Sequence, residues 1–397
     1  MPADKRGFAP IDFKTRFPAL DGIRALAITM VFACHYGGGS HGGMILRAIN
    51  AVRERGWVGV DLFFVLSGFL ITGILYDTSA DSRFFSRFYI RRSLRILPVF
   101  YIVVLLVLLL TPIFHYEWHW MQLTFVFYVG NFFANYHWDL YQIVSANHPA
   151  ADVGISHFWS LCVEEQFYLI WPLVVWFVRD RVKLIGVAVG ISAVSLALRF
   201  AMIGVFGRVI AETWIIRTLP FRMDSLLIGG ILALVLRGPA ADRWQRASKW
   251  VFAVFLGAAL AVFIFSPAYD SPWLLSVGLT FNALASAGLI GMTLRPGSPA
   301  YQLFHLKPLR VLGKYSYGFY VYHLLFATAW IDALVSLEHR LHSLALPGLI
   351  LLPMNYLLVF LVSKASYDWI EVRFLRLKRH FEYDSEIAEH RHAFAGR

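Results

Sequence analysis

The sequence is poor in cysteine: it has two in 397 residues, Cys34 and Cys162, both inside apolar segments. Such a chain offers no disulfide framework and no CxxC-type metal site, so no metal is expected. Charge is scarce as well. Asp, Glu, Lys and Arg make up 15% of the residues, where soluble domains carry about 25%, which excludes a soluble enzyme and a disordered chain. Acidic residues are the scarcer sign, 25 against 36 Lys and Arg, for a net charge of +11. That excess sits in short clusters between apolar stretches rather than on one face, the pattern of membrane topology and not of nucleic-acid binding. What is plentiful is apolar: 58% of the residues are hydrophobic. The composition is that of a protein built into a lipid bilayer.

A membrane span needs about 20 mainly apolar residues, and such stretches run near 19–36, 57–76, 94–112, 120–136, 157–178, 183–206, 218–236, 249–266, 273–294, 316–335 and 346–366. Basic clusters then set the topology, because cytoplasmic loops carry excess Lys and Arg. Arg83, Arg87, Arg91 and Arg92, then Arg179, Arg181 and Lys183, then Arg237 to Lys249, then Arg295 to Lys314 belong on one side, together with N-terminal Lys5, Arg6, Lys14 and Arg16 and the tail after Glu371. The segment 137–156 has no Lys or Arg and carries Asp139 and Asp152. All clusters fall on the cytoplasmic side only if 120–136, which holds Asn131 and Asn135, does not cross. The expected fold is therefore all-α and polytopic, with about ten transmembrane helices, one interfacial or re-entrant helix and both termini cytoplasmic. Residues 1–16 read as a cytoplasmic segment, 17–375 as one membrane domain and 376–397 as a cytoplasmic basic tail without an assigned role. The first apolar segment lacks a small-residue cleavage site and is expected to be retained as an anchor.

Ionisable groups inside a bilayer are costly and mark cavities or pathways. In FPALDGIRALAITMVFACHY, Arg24 and His35 are eleven residues apart, so they share a helix face about 16 Å from one another; Asp21 is one turn from Arg24 and placed to pair with it. In HFWSLCVEEQFYLIWP, His157 and Glu164 share a face that Tyr168 continues, while Glu165 points elsewhere and reads as structural. Arg222 and Asp224 open a further span, as an ion pair or as catalytic groups. Ser316, Tyr320 and His323 share a face of LGKYSYGFYVYH, just after Lys314. Arg91, Arg92 and Arg95 stand at the cytoplasmic start of the third span, where guanidinium forks suit phosphate. With the topology above, the arginines, Lys314 and Ser316 form a positive inner mouth. His35, His157, Arg222 and Asp224 fall towards an outer chamber lined by histidines and carboxylates. That layout fits a long ligand whose anionic head is held inside.

Taken in order, LDGIRALAI with its R-x10-H spacing, GWVGVDLFFVLSGFLIT (57–72), RRSLRILPVFY (91–101), HFWSLCVEEQFYLIWP (157–172), RMDSLLIGG (222–230) and LGKYSYGFYVYH (312–323) resemble the motifs of the membrane-bound acyltransferase-3 family, over roughly residues 17–375. The resemblance implies transfer of an acyl group, commonly acetyl, from cytoplasmic acyl-CoA to a hydroxyl of an extracytoplasmic glycan or lipid-linked sugar. It implies acyl-CoA as co-substrate with no permanently bound cofactor, and a multi-pass protein of the plasma membrane, bacterial inner membrane by family. It points to Arg24 and His35 as essential, and to Arg91, Arg92 and Arg95 as donor-binding. Histidine suits the base that such a transfer needs. His35 either deprotonates the acceptor, oriented by Glu164 or His157 with Arg24 or Arg222 stabilising the oxyanion, or carries the acyl group itself. Trp369-Ile370-Glu371-Val372-Arg373 departs from the family's Glu-x-Pro. No esterase-like domain is expected to follow, which would leave acceptor recognition to the membrane core or to an extracytoplasmic partner protein. The competing expectation is a proton-coupled transporter with Glu164, His35 and Asp224 as relay; neither inverted repeats nor matched broken helices are evident for it.

Overall fold

A computed structural model describes residues 17–36, 44–133, 135, 141–266, 268–325, 327–341 and 345–383. The N-terminal basic residues Lys5 to Arg16, Asp139 and the C-terminal EIAEHRHAFAGR lie outside these. Where water is absent every backbone N–H and C=O must be satisfied within the chain, and the apolar runs accordingly form helices. In chain order these are α1 (Pro18–His35), α2 (Met44–Glu54), α3 (Val58–Asp77), α4 (Phe84–Phe114), α5 (Gly130–Phe133), α6 (Phe158–Phe177), α7 (Arg181–Arg217), α8 (Leu219–Val235) and α9 (Ala241–Phe265). There follow α10 (Leu279–Thr293), α11 (Pro299–Phe304), α12 (Lys307–Lys314), α13 (Ser316–Tyr322), α14 (Ala327–Leu341), α15 (Ala345–Ser366) and α16 (Val372–Leu377). By length and composition six helical stretches of the described residues are able to cross a membrane, or seven with the bent pair α13 and α14 counted as one.

The stretch 120–136 is not a spanning helix. It forms a 3₁₀ turn over Trp120–Phe127, closed at its start by His119 and Gln122, and then the four-residue α5. Eight residues of 3₁₀ helix reach only about 16 Å, half a hydrocarbon core. Beside it β1 (Tyr116–Glu117), β2 (Gln142–Ser145) and β3 (Val153–Gly154) make a small antiparallel sheet, with Tyr116 opposite Ser145 and Ile143 opposite Val153.

The expected span 316–335 is broken as well, into α13 and α14 bent by 70°. At the break the last carbonyls of α13 have no intrahelical donor and are taken by side chains, one of them local and two from distant segments. Tyr320 O faces His323 Nδ1 at 2.6 Å, Val321 O faces His157 Nε2 at 3.1 Å, and His323 O accepts from the Tyr36 hydroxyl.

Packing sorts helices into inner and outer. α4 exposes Leu105, Leu106, Leu108 and Leu109, a side that is apolar where water would demand polarity and so reads as lipid-facing. α3 and α8 cross at backbone contact: a Cβ on Gly68 would collide with Leu226 O, and one on Gly229 with Val65 O. Small residues permit such an approach where lipid tails supply no hydrophobic drive between helices.

Candidate active site

Three helices each carry polar groups at two levels. α1 has Arg24 near its start and His35 at its end; α6 begins just after His157 and places Glu164 two turns on; α13 starts at Ser316 and is capped by His323. His35, His157 and His323 meet. His323 Nε2 lies 3.2 Å from His35 Nδ1, and the His157 and His323 ring centroids are 4.8 Å apart. His157 and His323 are each 1% exposed. For the ends of α1 and α13 to meet the start of α6, α6 must run opposite to the other two. The cluster is therefore a consequence of antiparallel packing of segments far apart in sequence.

At the other end of these helices opens a cavity of about 890 Å³, within the size range of small-molecule sites. Arg24, Arg91, Arg92, Arg95 and Lys378 line it, with Asp77 and Glu164 as its acidic lining residues. Arg92 lies 4.0 Å from Glu164 Oε2, donates to the Tyr168 hydroxyl and stacks over the Tyr168 ring. Arg95 also lines a second, adjoining cavity of about 390 Å³ and has no hydrogen-bond partner among the described residues. Ser316 and Tyr317 join the first wall, and Lys314 lines the second cavity beside the rings of Tyr315 and Tyr367. Ser160 and Tyr320 form the boundary with the histidines: both line the large cavity, their hydroxyls bond to each other, and the Tyr320 hydroxyl donates to His157 O at 2.8 Å.

Arg24 pairs with Asp21 at 2.5 Å, as the spacing predicts, and lines both cavities. It therefore stands with the arginines and not beside His35. Glu164 is likewise part of the arginine cavity rather than a neighbour of the histidines, which corrects its expected place as an orienter of His35. The expected outer chamber also differs, since its histidines are packed ring to ring and the carboxylate Asp224 is elsewhere.

Arg222 and Asp224 do not pair with each other. Arg222 donates to Asp61 of α3, with both side chains at most 1% exposed, while Asp224 receives both Nη atoms of Arg199 from α7, at 2.6 and 3.3 Å, and the Thr280 hydroxyl at 2.6 Å. Two residues apart on α8, they point about 200° away from each other. Neither lines either cavity, so a catalytic place for Arg222 or Asp224 is not supported by their surroundings; they lock α8 to its neighbours. The sequence reading missed Asp61 and Arg199, although an aspartate in the first turn of an apolar helix and an arginine deep in another were the signal.

As far as Tyr383, the basic tail packs against the bundle. The segment after α15 folds back on α4: Arg91 donates to Phe381 O at 3.2 Å and lies over the Tyr383 ring, and Lys378 and Tyr383 line the large cavity. Among the described residues no group of three His, Cys, Asp or Glu side chains is arranged to hold a metal ion.

The fold is that of a helical membrane protein, a lipid-facing bundle in which a cavity lined by arginines abuts a cluster of buried histidines. The chain belongs to the acyltransferase-3 family, an acyltransferase domain that matches residues 17–365. It is 30% identical over 373 residues to the peptidoglycan O-acetyltransferase OatA of Listeria monocytogenes serovar 1/2a, covering 89% of this chain and 55% of that protein. It is also 30% identical over 324 residues to the O-acetyltransferase OatA of Staphylococcus aureus, covering 77% of this chain and 50% of that protein. The chain thus spans about half the length of these relatives. No solved structure matches it.

Proposed function

We propose that this chain is a membrane O-acyltransferase that takes an acyl group, acetyl by analogy with the relatives, from cytoplasmic acyl-CoA and delivers it to a hydroxyl of an extracytoplasmic glycan. The named activity of the relatives makes peptidoglycan the first acceptor to test. The reading sets the chain in the plasma membrane with ten crossings, both termini inside and 120–136 at the interface, and uses acyl-CoA as substrate with no resident cofactor. An extracytoplasmic partner protein would supply any acceptor recognition that the membrane core lacks.

The observation that carries the reading is the cavity walled by Arg24, Arg91, Arg92, Arg95 and Lys378, ending at Ser160 and Tyr320 beneath the histidines. Charge-assisted and bidentate hydrogen bonds suit such guanidinium groups to the phosphates of a coenzyme. With that head held there, the acyl end extends toward Tyr320. His35 then acts as general base on the acceptor hydroxyl, while Arg24, in the cavity, serves the donor. His35 is the last residue of α1, where the negative end of the helix dipole favours the imidazolium that forms.

The test is binding and transfer by the purified protein in detergent with radiolabelled acetyl-CoA. Replacing Arg92→Ala and Arg95→Ala together is expected to weaken acetyl-CoA binding about 100-fold, as two lost charge-assisted contacts predict. Wild-type protein that binds no acetyl-CoA, or a double variant that binds like wild type, overturns the reading. A smaller effect is expected of Lys378→Ala, a threefold to tenfold rise in the dissociation constant, roughly one exposed-edge phosphate contact; an unchanged constant by the same assay removes the tail from the site.

A further inference from the structure

The hydrogen-bond geometry of the histidine cluster fixes which nitrogen of each ring carries the proton. A carbonyl oxygen only accepts, so a ring nitrogen facing one must be N–H. His323 Nδ1 faces the Tyr320 carbonyl at 2.6 Å. In the neutral ring its Nε2 therefore holds a lone pair. That lone pair lies 3.2 Å from His35 Nδ1, which also faces the Val31 carbonyl at 2.9 Å. With an acceptor on both sides, His35 Nδ1 must be the N–H, and the lone pair of His35 is left on Nε2. His35 Nε2 has no hydrogen-bond partner among the described residues, and His35 is less deeply buried than the other two rings. His157 Nε2 is committed in the same way to the Val321 carbonyl at 3.1 Å. Among the described residues the titratable groups that face His35 are His323 at the end of α13 and His157 at the start of α6, and none of the described carboxylates stands next to it to take the orienting part an aspartate plays in a hydrolase triad.

We propose that His323 is the positioning residue for His35: anchored through its own Nδ1–H on the broken end of α13, it accepts the His35 Nδ1–H bond and so presents His35 Nε2 as the base. The inference rests on the acyl-transfer reading above. In that reaction the proton of the acceptor hydroxyl passes to His35 Nε2, and the freed electron pair on oxygen forms the new bond to the acyl carbon. The carbon–sulfur bond of the acyl thioester then breaks, and the leaving sulfur takes the proton back from Nε2. While His35 holds that proton it is an imidazolium, and its Nδ1–H bond to His323 becomes charge-assisted and stronger. His323 touches neither substrate in this scheme and acts only through His35. The break of α13 thereby acquires a purpose, since a continuous helix would use the Tyr320 carbonyl itself and leave His323 without its anchor.

Two measurements test this. Nitrogen-15 NMR of histidine-labelled protein in lipid nanodiscs, with signals assigned by their loss in His35→Gln and His323→Gln, is expected to show the proton on Nδ1 of both rings; a proton on Nε2 of either overturns the proposal. In steady-state transfer, His323→Leu is expected to lower kcat about tenfold with the donor KM unchanged, the size expected of one lost charge-assisted bond. His323→Gln keeps an acceptor oxygen near the position of Nε2 and is expected to recover most of the rate. A wild-type kcat in the leucine variant, or equal losses in both variants, overturns the positioning role. If His323→Leu fails to fold, the wild-type NMR and the glutamine variant still decide it. Wild-type protein with the expected proton positions but no acyl transfer would instead overturn the acyltransferase reading.

Discussion

His35→Ala is expected to lower kcat for acyl transfer by a factor of 10² to 10⁴, the range for a positioned general base, while acetyl-CoA binding stays within about twofold of wild type. The split follows from the layout. His35 does not line the cationic cavity, and about 16 Å of helix separates it from Arg24, which does. A donor held by the arginines loses no contact when the imidazole is removed. Alanine leaves the Nε2 of His323 without its donor but creates no buried charge, so the fold is expected to persist. The measurement is the comparison of single-turnover transfer with equilibrium binding on the same preparation. Equal loss of both, or of neither, refutes the division into a binding end and a reacting end.

Asp61→Ala is expected to have the largest effect on stability. Asp61 is 0% and Arg222 1% exposed. Arg222 has no other hydrogen-bond partner among the described residues, although its guanidinium lies 5.3 Å from the Phe64 ring. Removing the carboxylate strands a buried guanidinium, which costs about 3–5 kcal/mol, whereas replacing both partners with apolar groups of similar volume is often neutral or stabilising. The single variant is therefore expected to unfold well below wild type in a detergent thermal-shift assay, and Asp61→Leu combined with Arg222→Met to recover most of the loss. The pair joins α3 to α8 where Gly68 and Gly229 already bring the two backbones into contact, so its loss also loosens one of the closest helix crossings. A single variant as stable as wild type, or a double variant no better than the single, would show that the pair does not hold this crossing.

The sequence made the environment and the helices legible because a bilayer permits few solutions. Apolar runs of about 20 residues must become helices, so the positions of α1, α3, α4, α6, α7, α8, α9, α10 and α15 follow from hydropathy. The failure of 120–136 to span follows from charge arithmetic. Local spacing was informative too: Asp21 and Arg24 are one turn apart and pair. Only the tertiary structure decided which distant groups meet. Spacing along a helix says which way a side chain points, not what stands opposite. For that reason Asp224 was read with Arg222, its neighbour in sequence, when each has its partner on another helix. The break of α13 was not legible in the sequence because the Val321 carbonyl is claimed by His157 and the His323 carbonyl by Tyr36, contacts between segments more than 150 residues apart. The return of the tail onto α4 was hidden too: a basic segment reads only as a cytoplasmic tail, and its anchors, Phe381 and Tyr383 on Arg91, lie about 290 residues from their partner. Composition and period determined the bundle and its polar inventory. The course of α6, opposite to that of α1 and α13, turned that inventory into a cationic cavity and a histidine cluster, because it brings the start of α6 to the ends of the other two.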